Sequence, residues 1–214
     1  MIQHHTFTVN PIQENSHLLW DETKQACIVD PGFSTPGEQQ ELDRFIADHG
    51  LTLTRCIHTH LHFDHLWGAP HIIARYGITP EAPSTDIQDL PHLMQGLIQK
   101  GSPLSEQILS IPFCPLPTSD TLQIGDTTLK ILHVPGHTRG HVAFYSPADH
   151  LIATGDVLFA GGEMGRTDLW GGDYRQLITS IHTQLFTLPG DTHVLTGHGA
   201  PTTIEYERTH FMYS

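Results

Sequence analysis

Residues 59–68 read THLHFDHLWG. Four of the six positions from 60 to 65 carry side chains that ligate metals: His60, His62, Asp64 and His65. The stretch begins where a strand-like run, LTRCIHT (53–59), ends, and a helical pattern follows from Leu66 to Tyr76, closed by Gly77. On a strand-to-helix turn, alternate residues converge on one point. His60 and His62 share a face, while Asp64 and His65 turn back toward a second point. Two imidazoles on one ion, with an imidazole and a carboxylate on its neighbour, make half of a dinuclear site. In a chain with 18 histidines, HxHxDH arises by chance with a probability of about 0.01. The stretch therefore needs its other half.

Three further turns supply candidates. His137 lies in HVPGHTRGH (133–141) after the strand-like TLKILHV (128–134). Asp156 ends TGD after LIA, and His198 lies in TGHG after HVL. A lone histidine after a strand is more often packed than ligating. Four turns of one kind, each at a strand C-terminus and three of them glycine-bearing, point instead to a metal centre on a rigid scaffold.

The remaining chain reads as layers. HTFTV (5–9), SHLLW (16–20), ACIVD (26–30) and VAFYS (142–146) are short apolar or alternating runs bounded by turn-formers. PGEQQELDRFIADHG (36–50) places Leu42, Phe45, Ile46 and His49 on one helical face, with Gly50 as its stop. A third helix is expected over 174–186. Strands then helix, repeated in each half, imply an α/β fold with helices outside two packed sheets, residues 1–214 forming one domain. Between 79 and 117 prolines 80, 83, 91, 103, 112 and 115 interrupt the pattern, yet Ile87, Leu90, Leu93, Met94, Leu97 and Ile98 form an apolar helical face. The expectation is an inserted helical lid, whose apolar face suits a pocket wall or a homodimer contact.

With 10 Lys+Arg against 23 Asp+Glu, the formal charge of −13 argues against a nucleic-acid partner. No apolar run reaches the 18 or more residues of a membrane span, and MIQHHTFTVN has neither a basic nor an apolar leader segment. A cytoplasmic location follows as an expectation. Cys27, Cys56 and Cys114 are far apart and odd in number, so they are expected to be inert buried thiols in a reducing compartment.

THLHFDH, PGHTRGH, TGD and TGHG, in this order, resemble the metallo-β-lactamase superfamily, and within it the glyoxalase II branch, the hydroxyacylglutathione hydrolases. The resemblance runs from ENSHLL and VDPG to YERTHF. It implies an αββα sandwich with a helical insertion around 79–117. It also implies that His60, His62 and His137 hold one metal, that Asp64, His65 and His198 hold a second, and that Asp156 bridges both. Zinc is the expected ion, with iron or manganese as alternatives because His/Asp sites accept several divalent ions. The implied chemistry is thioester hydrolysis by a hydroxide generated between the ions, with Asp64 also orienting that nucleophile. There is no GxSxG, and no cysteine lies in these motifs, so no protein nucleophile competes.

Arg139 is the candidate for binding a substrate carboxylate. Arg166 and Asp168, in GRTDLWGGD (165–173), are expected to form a buried pair that ties their loop down. Asp30 is expected to support a metal histidine. Full-length glyoxalase II enzymes carry a helical C-terminal domain for glutathione; here only residues 199–214 follow His198, so the resemblance is to a short form. The rival reading is a mononuclear iron persulfide dioxygenase built on His60, His137 and Asp156. The RTD sequence fits it, whereas His141 and the complete second ligand set favour hydrolysis.

Overall fold

The computed structural model describes residues 1–213. Its first half runs β1 (Gln3–Val9), β2 (Glu14–Trp20), β3 (Gln25–Val29), α1 (Pro36–Asp48), β4 (Thr52–Ile57), α2 (Ala69–Tyr76), β5 (Glu81–Ala82), α3 (Ser84–Leu93), α4 (Gln95–Gln99), α5 (Pro103–Leu109) and β6 (Cys114–Pro115). The strands form one sheet in the order β1-β2-β3-β4-β5-β6, antiparallel up to β3 and parallel from β3 onward. The second half runs β7 (Thr121–Ile124), β8 (Thr127–His133), β9 (Val142–Ser146), β10 (Leu151–Gly155), a small hairpin β11 (Leu158–Phe159) and β12 (Glu163–Met164), α6 (Tyr174–Ser180), β13 (His193–Thr196), β14 (Thr202–Thr203) and α7 (Ile204–His210). Its main sheet has the order β14-β13-β10-β9-β8-β7.

The two sheets meet face to face. Cys27 and Val29 of β3, with Leu19 and Ile57, pack against Leu129, Ile131, Phe144 and Leu195 of the second sheet. Intervening residues point the other way: Leu18, Ala26 and Ile28 lie against Leu42 and Ile46 of α1. Ala143, Ile152 and Val194 lie against Leu177 and Ile181 on the opposite outer face. Both faces of each sheet are covered, which is why the central strands read as apolar runs rather than clean alternations. Each such side chain contributes roughly 1.5–3 kcal/mol on burial. Helix α1 begins as its sequence requires: Thr35 accepts from the backbone of Glu38, and the Glu38 side chain reaches back to the Thr35 amide.

Three expectations are corrected. The helix after the ligand turn starts at Ala69 rather than Leu66, because Phe63–His65 form a tight 3₁₀ turn and the Gly68 amide is held by the Pro31 carbonyl at 2.7 Å. Segment 79–117 carries the expected helices, α3, α4 and α5, and is more than an inserted lid. Its ends, β5 and β6, extend the first sheet, and Leu90, Met94 and Ile108 pack on Leu61 and Leu66 of the ligand turn. Cys114 is exposed, since β6 is the sheet edge, whereas Cys27 and Cys56 are buried. Among the described residues no helix is long and apolar enough to cross a membrane.

Candidate metal centre

The strand ends deliver the seven residues named from the sequence to one place. In the first group, donor atoms of His60, His62 and His137 lie within 4.8 Å of one another, with His62 Nδ1 2.8 Å from His137 Nε2. The outer nitrogens are already committed. His137 Nδ1 donates to the Arg166 carbonyl at 2.7 Å. His60 Nδ1 lies 3.0 Å from Thr59 Oγ1, which donates to Asp30 at 2.6 Å. A carbonyl or carboxylate can only accept, so these contacts fix the tautomers and aim His60 Nε2 and His137 Nε2 inward as lone pairs.

The second group is richer in charge. Asp64 Oδ2 lies 3.2 Å from His198 Nε2 and 3.7 Å from His65 Nε2. On its far side His65 Nδ1 faces Asp30 at 3.3 Å and the fully buried Glu14 at 3.6 Å. His198 Nδ1 donates to the Gln13 carbonyl at 3.2 Å. Asp156 stands between the groups: Oδ1 is 3.5 Å from His65 Nε2, and Oδ2 is 3.6 Å from both His137 Nε2 and His198 Nε2. That is the placement a bridging carboxylate requires.

Backbone geometry makes the crowding feasible. A Cβ on Gly197 would sit 2.1 Å from Asp156 Oδ1, and one on Gly155, whose φ is +51°, would sit 2.2 Å from Thr59 Oγ1.

Electrostatics divides the two groups. Burial lowers the pKa of His62 to about 3 and holds His60 and His137 below the ordinary histidine value. Burial would do the same to His65, but Asp64 and Asp156 overcome it and raise its pKa well above that value. His198 is likewise raised against its burial, by the Asp64 hydrogen bond and the Asp156 charge. In turn Asp64 and Asp156, despite burial, lie below the usual carboxylate range because of these histidines.

Metal would resolve what the protein leaves unsatisfied. His60 Nε2, His65 Nε2 and Asp156 Oδ1 are buried with no hydrogen-bond partner. Each such atom costs roughly 1–3 kcal/mol. Imidazole nitrogens and carboxylate oxygens, clustered and otherwise unpaired, suit divalent zinc, iron or manganese, so the residues present fit a divalent metal site.

Four supporting residues were invisible as such in the sequence. Thr59 links Asp30 to His60. His141, noted there only as favouring hydrolysis, stacks on His60 at 4.6 Å and accepts from the Asp156 amide at 3.3 Å. Asp86, on α3, is a buried carboxylate far along the chain from every ligand. Glu14 sits within ENSHLL, but no local pattern ties it to His65.

Above the ligands opens a cleft of about 790 Å³ with His62, Asp64, His137, Asp156 and His198 in its floor. Phe63, Leu93, Leu97, Met164 and Trp170 make an apolar wall, and Lys100 and Arg166 lie at the rim. Arg139 is not among the residues lining the cleft. Its guanidinium pairs with Asp89 at 3.4 Å and lies over Trp170 at 5.9 Å. The Arg166–Asp168 pair, at 2.7 Å, is exposed rather than buried. Such a pair contributes about 0–1 kcal/mol, so the main-chain bond from His137 to Arg166, not the ion pair, anchors this loop.

Residues 9–198 match the sequence profile of the metallo-beta-lactamase superfamily. Hydroxyacylglutathione hydrolase GloC of Haemophilus influenzae is 36% identical over 206 residues, covering 94% of this chain and 92% of that protein. Among solved structures, the BLEG-1 B3 metallo-beta-lactamase superposes with a TM-score of 0.85 at 31% identity, covering 98% of both chains. TTHA1623, solved in a di-iron-bound form, superposes with a TM-score of 0.81 at 30% identity, covering 96% of this chain and 98% of that one. Sequence profile, full-length similarity and superposed fold agree with the two-group ligand cluster, and the chain belongs to the metallo-beta-lactamase superfamily, with similarity to its hydroxyacylglutathione hydrolases.

Proposed function

We propose that the chain is a thioester hydrolase of the hydroxyacylglutathione hydrolase type, acting in the cytoplasm with two divalent ions, zinc by preference. The observation that carries this reading is the complete double ligand set, with Asp156 between its halves. His60, His62 and His137 would hold one ion, Asp64, His65 and His198 the other. When bound, the ions supply Lewis acidity and a water of lowered pKa.

The chain's own groups do the rest. Asp64 lines the cleft floor and is kept ionised by His65 and His198; in this reading its carboxylate accepts a hydrogen bond from the attacking water. Phe63, Leu97 and Met164 shield the acyl group from bulk water. Lys100 and Arg166 at the rim take a substrate carboxylate, with Arg139 acting behind them by holding Trp170 in place. A small-molecule substrate, not nucleic acid, suits both the cleft of about 790 Å³ and the charge of −13.

The test is a panel of thioesters, S-lactoylglutathione included, assayed against zinc, iron and manganese forms. Hydrolysis by at least the zinc form is expected. Absence of thioester turnover in every form would overturn the reading. Oxygen consumption on glutathione persulfide by the iron form alone would place the chain with persulfide dioxygenases instead.

A further inference from the structure

We infer that Asp86 is a positioning residue for the first ligand group, fastening the turn that carries His60 and His62 to the turn that carries His137. Its carboxylate is fully buried and reaches both turns at once. Oδ2 accepts from the Leu61 amide at 3.1 Å and from Thr138 Oγ1 at 2.8 Å, while Oδ1 accepts from the Gly140 amide at 2.8 Å. Leu61 lies between the two first-turn ligands. Thr138 follows His137, and Gly140 precedes the His141 ring that stacks on His60.

Three donors converging on one buried carboxylate are a built arrangement. A neutral side chain of similar size cannot accept at all three points, and an unmatched buried donor costs roughly 1–3 kcal/mol. The backbone makes room for it: a Cβ at Gly140 would stand 2.5 Å from Asp86 Oδ1. Asp86 touches no ligand nitrogen. It acts through the separation and tilt of two turns that are far apart in sequence and must meet within 2.8 Å at His62 and His137.

The same helix continues to the substrate side. Asp89, one turn on, pairs with Arg139, and His92, a turn further, stacks on Trp170 at 4.4 Å in the cleft lining. One face of α3 therefore joins the ligand turns to the cleft wall. The insertion is part of the metal centre's scaffold.

The experiment compares wild type with Asp86→Ala, Asp86→Asn and Thr138→Val. It measures metal affinity by chelator competition, the visible spectrum of the cobalt-loaded protein, and thermal unfolding of the metal-free protein. For Asp86→Ala the expectation is an affinity loss of about 10–100-fold, the scale seen on removing supports behind metal ligands. The loss falls on one of the two ions and comes with an altered cobalt spectrum. Asp86→Asn falls in between, because in either orientation its amide turns a donor toward one backbone N–H, that of Leu61 or that of Gly140. Thr138→Val shows a smaller loss in the same direction.

A folded Asp86→Ala protein with wild-type affinities and spectrum would overturn the inference. So would a lowered unfolding temperature with unchanged affinity, which is the signature of a structural residue only. If Asp86→Ala does not fold, wild-type affinity in both Asp86→Asn and Thr138→Val overturns it equally. No readout requires turnover, so failure of the thioester assay leaves this test intact.

Discussion

The two halves of the metal centre hold histidines in opposite states. Around His60, His62 and His137 burial dominates and disfavours the charged ring, and the outer nitrogens of His60 and His137 are tied to Thr59 and the Arg166 carbonyl. Around His65 and His198, carboxylates overcome burial and hold protons on the rings. The first half is thus ready for a cation, whereas in the second a cation must displace protons. The supports differ as well. The first half leans on α3 and the loop after β12. The second leans on the β1–β2 turn, where Gln13 meets His198, Glu14 meets His65, and Asn10 holds the Asp64 carbonyl at 3.1 Å.

Asp156 stands between the two halves, so its loss should erase the contrast. Asp156→Ala is expected to lower turnover by about 10³-fold or more, the upper scale for removing preorganised electrostatic stabilisation, and to reduce metal content in a chain that still folds. Activity assays with elemental analysis check this; retained activity in a metal-depleted variant would break the mechanism. Next in size, Glu14→Gln should weaken one ion by about 10-fold, leaving the ion affected by Asp86→Ala untouched. A single titration of both variants reads the two supports separately.

pH sharpens the comparison further. His65 and His198 have raised folded-state pKa values, so the stability they contribute is present below 6.5 and lost as pH rises through the folded values. Glu14, raised by burial, acts in the same direction. His60, His62, His137 and His141 are lowered, so their cost appears as pH falls below 6.5. The metal-free protein should therefore be most stable near pH 6.5 and lose stability on either side. Metal should stabilise it more as pH rises, because fewer protons must leave. Thermal unfolding with and without zinc, from about pH 5 to about pH 9, measures both curves, and metal stabilisation that shrinks with pH would contradict the assignment. The smallest effect is at the rim: Arg166→Ala should raise KM for an anionic thioester several-fold, by about 1 kcal/mol of lost binding, with kcat nearly unchanged. A larger KM effect from Arg139→Ala would reverse the roles given to these two arginines.

Much of this was legible along the chain because strand ends and turn residues are local features. HxHxDH, the turns at His137, Asp156 and His198, and the amphipathic run 36–50 each announce themselves within a dozen residues, and the structure brings all four turns to one edge of the two sheets. Asp86 had no such signal. Within STDIQDL it reads as an ordinary acidic residue of a helix first turn, and only packing of α3 against the ligand turns buries it. Arg139 shows the converse: two residues from His137 in sequence, its guanidinium pairs with Asp89 and lies over Trp170 of the cleft wall rather than lining the cleft itself. Proximity in sequence does not determine where a long side chain points.

By itself, then, the sequence determined the ligand types, their order on strand-to-loop turns and the layered α/β pattern, since periodicity and turn chemistry act over a few residues. The tertiary structure decided the rest: which imidazoles are neutral, which hold protons, and which distant carboxylates stand behind them. Those properties come from burial and from charges that the chain brings together only on folding.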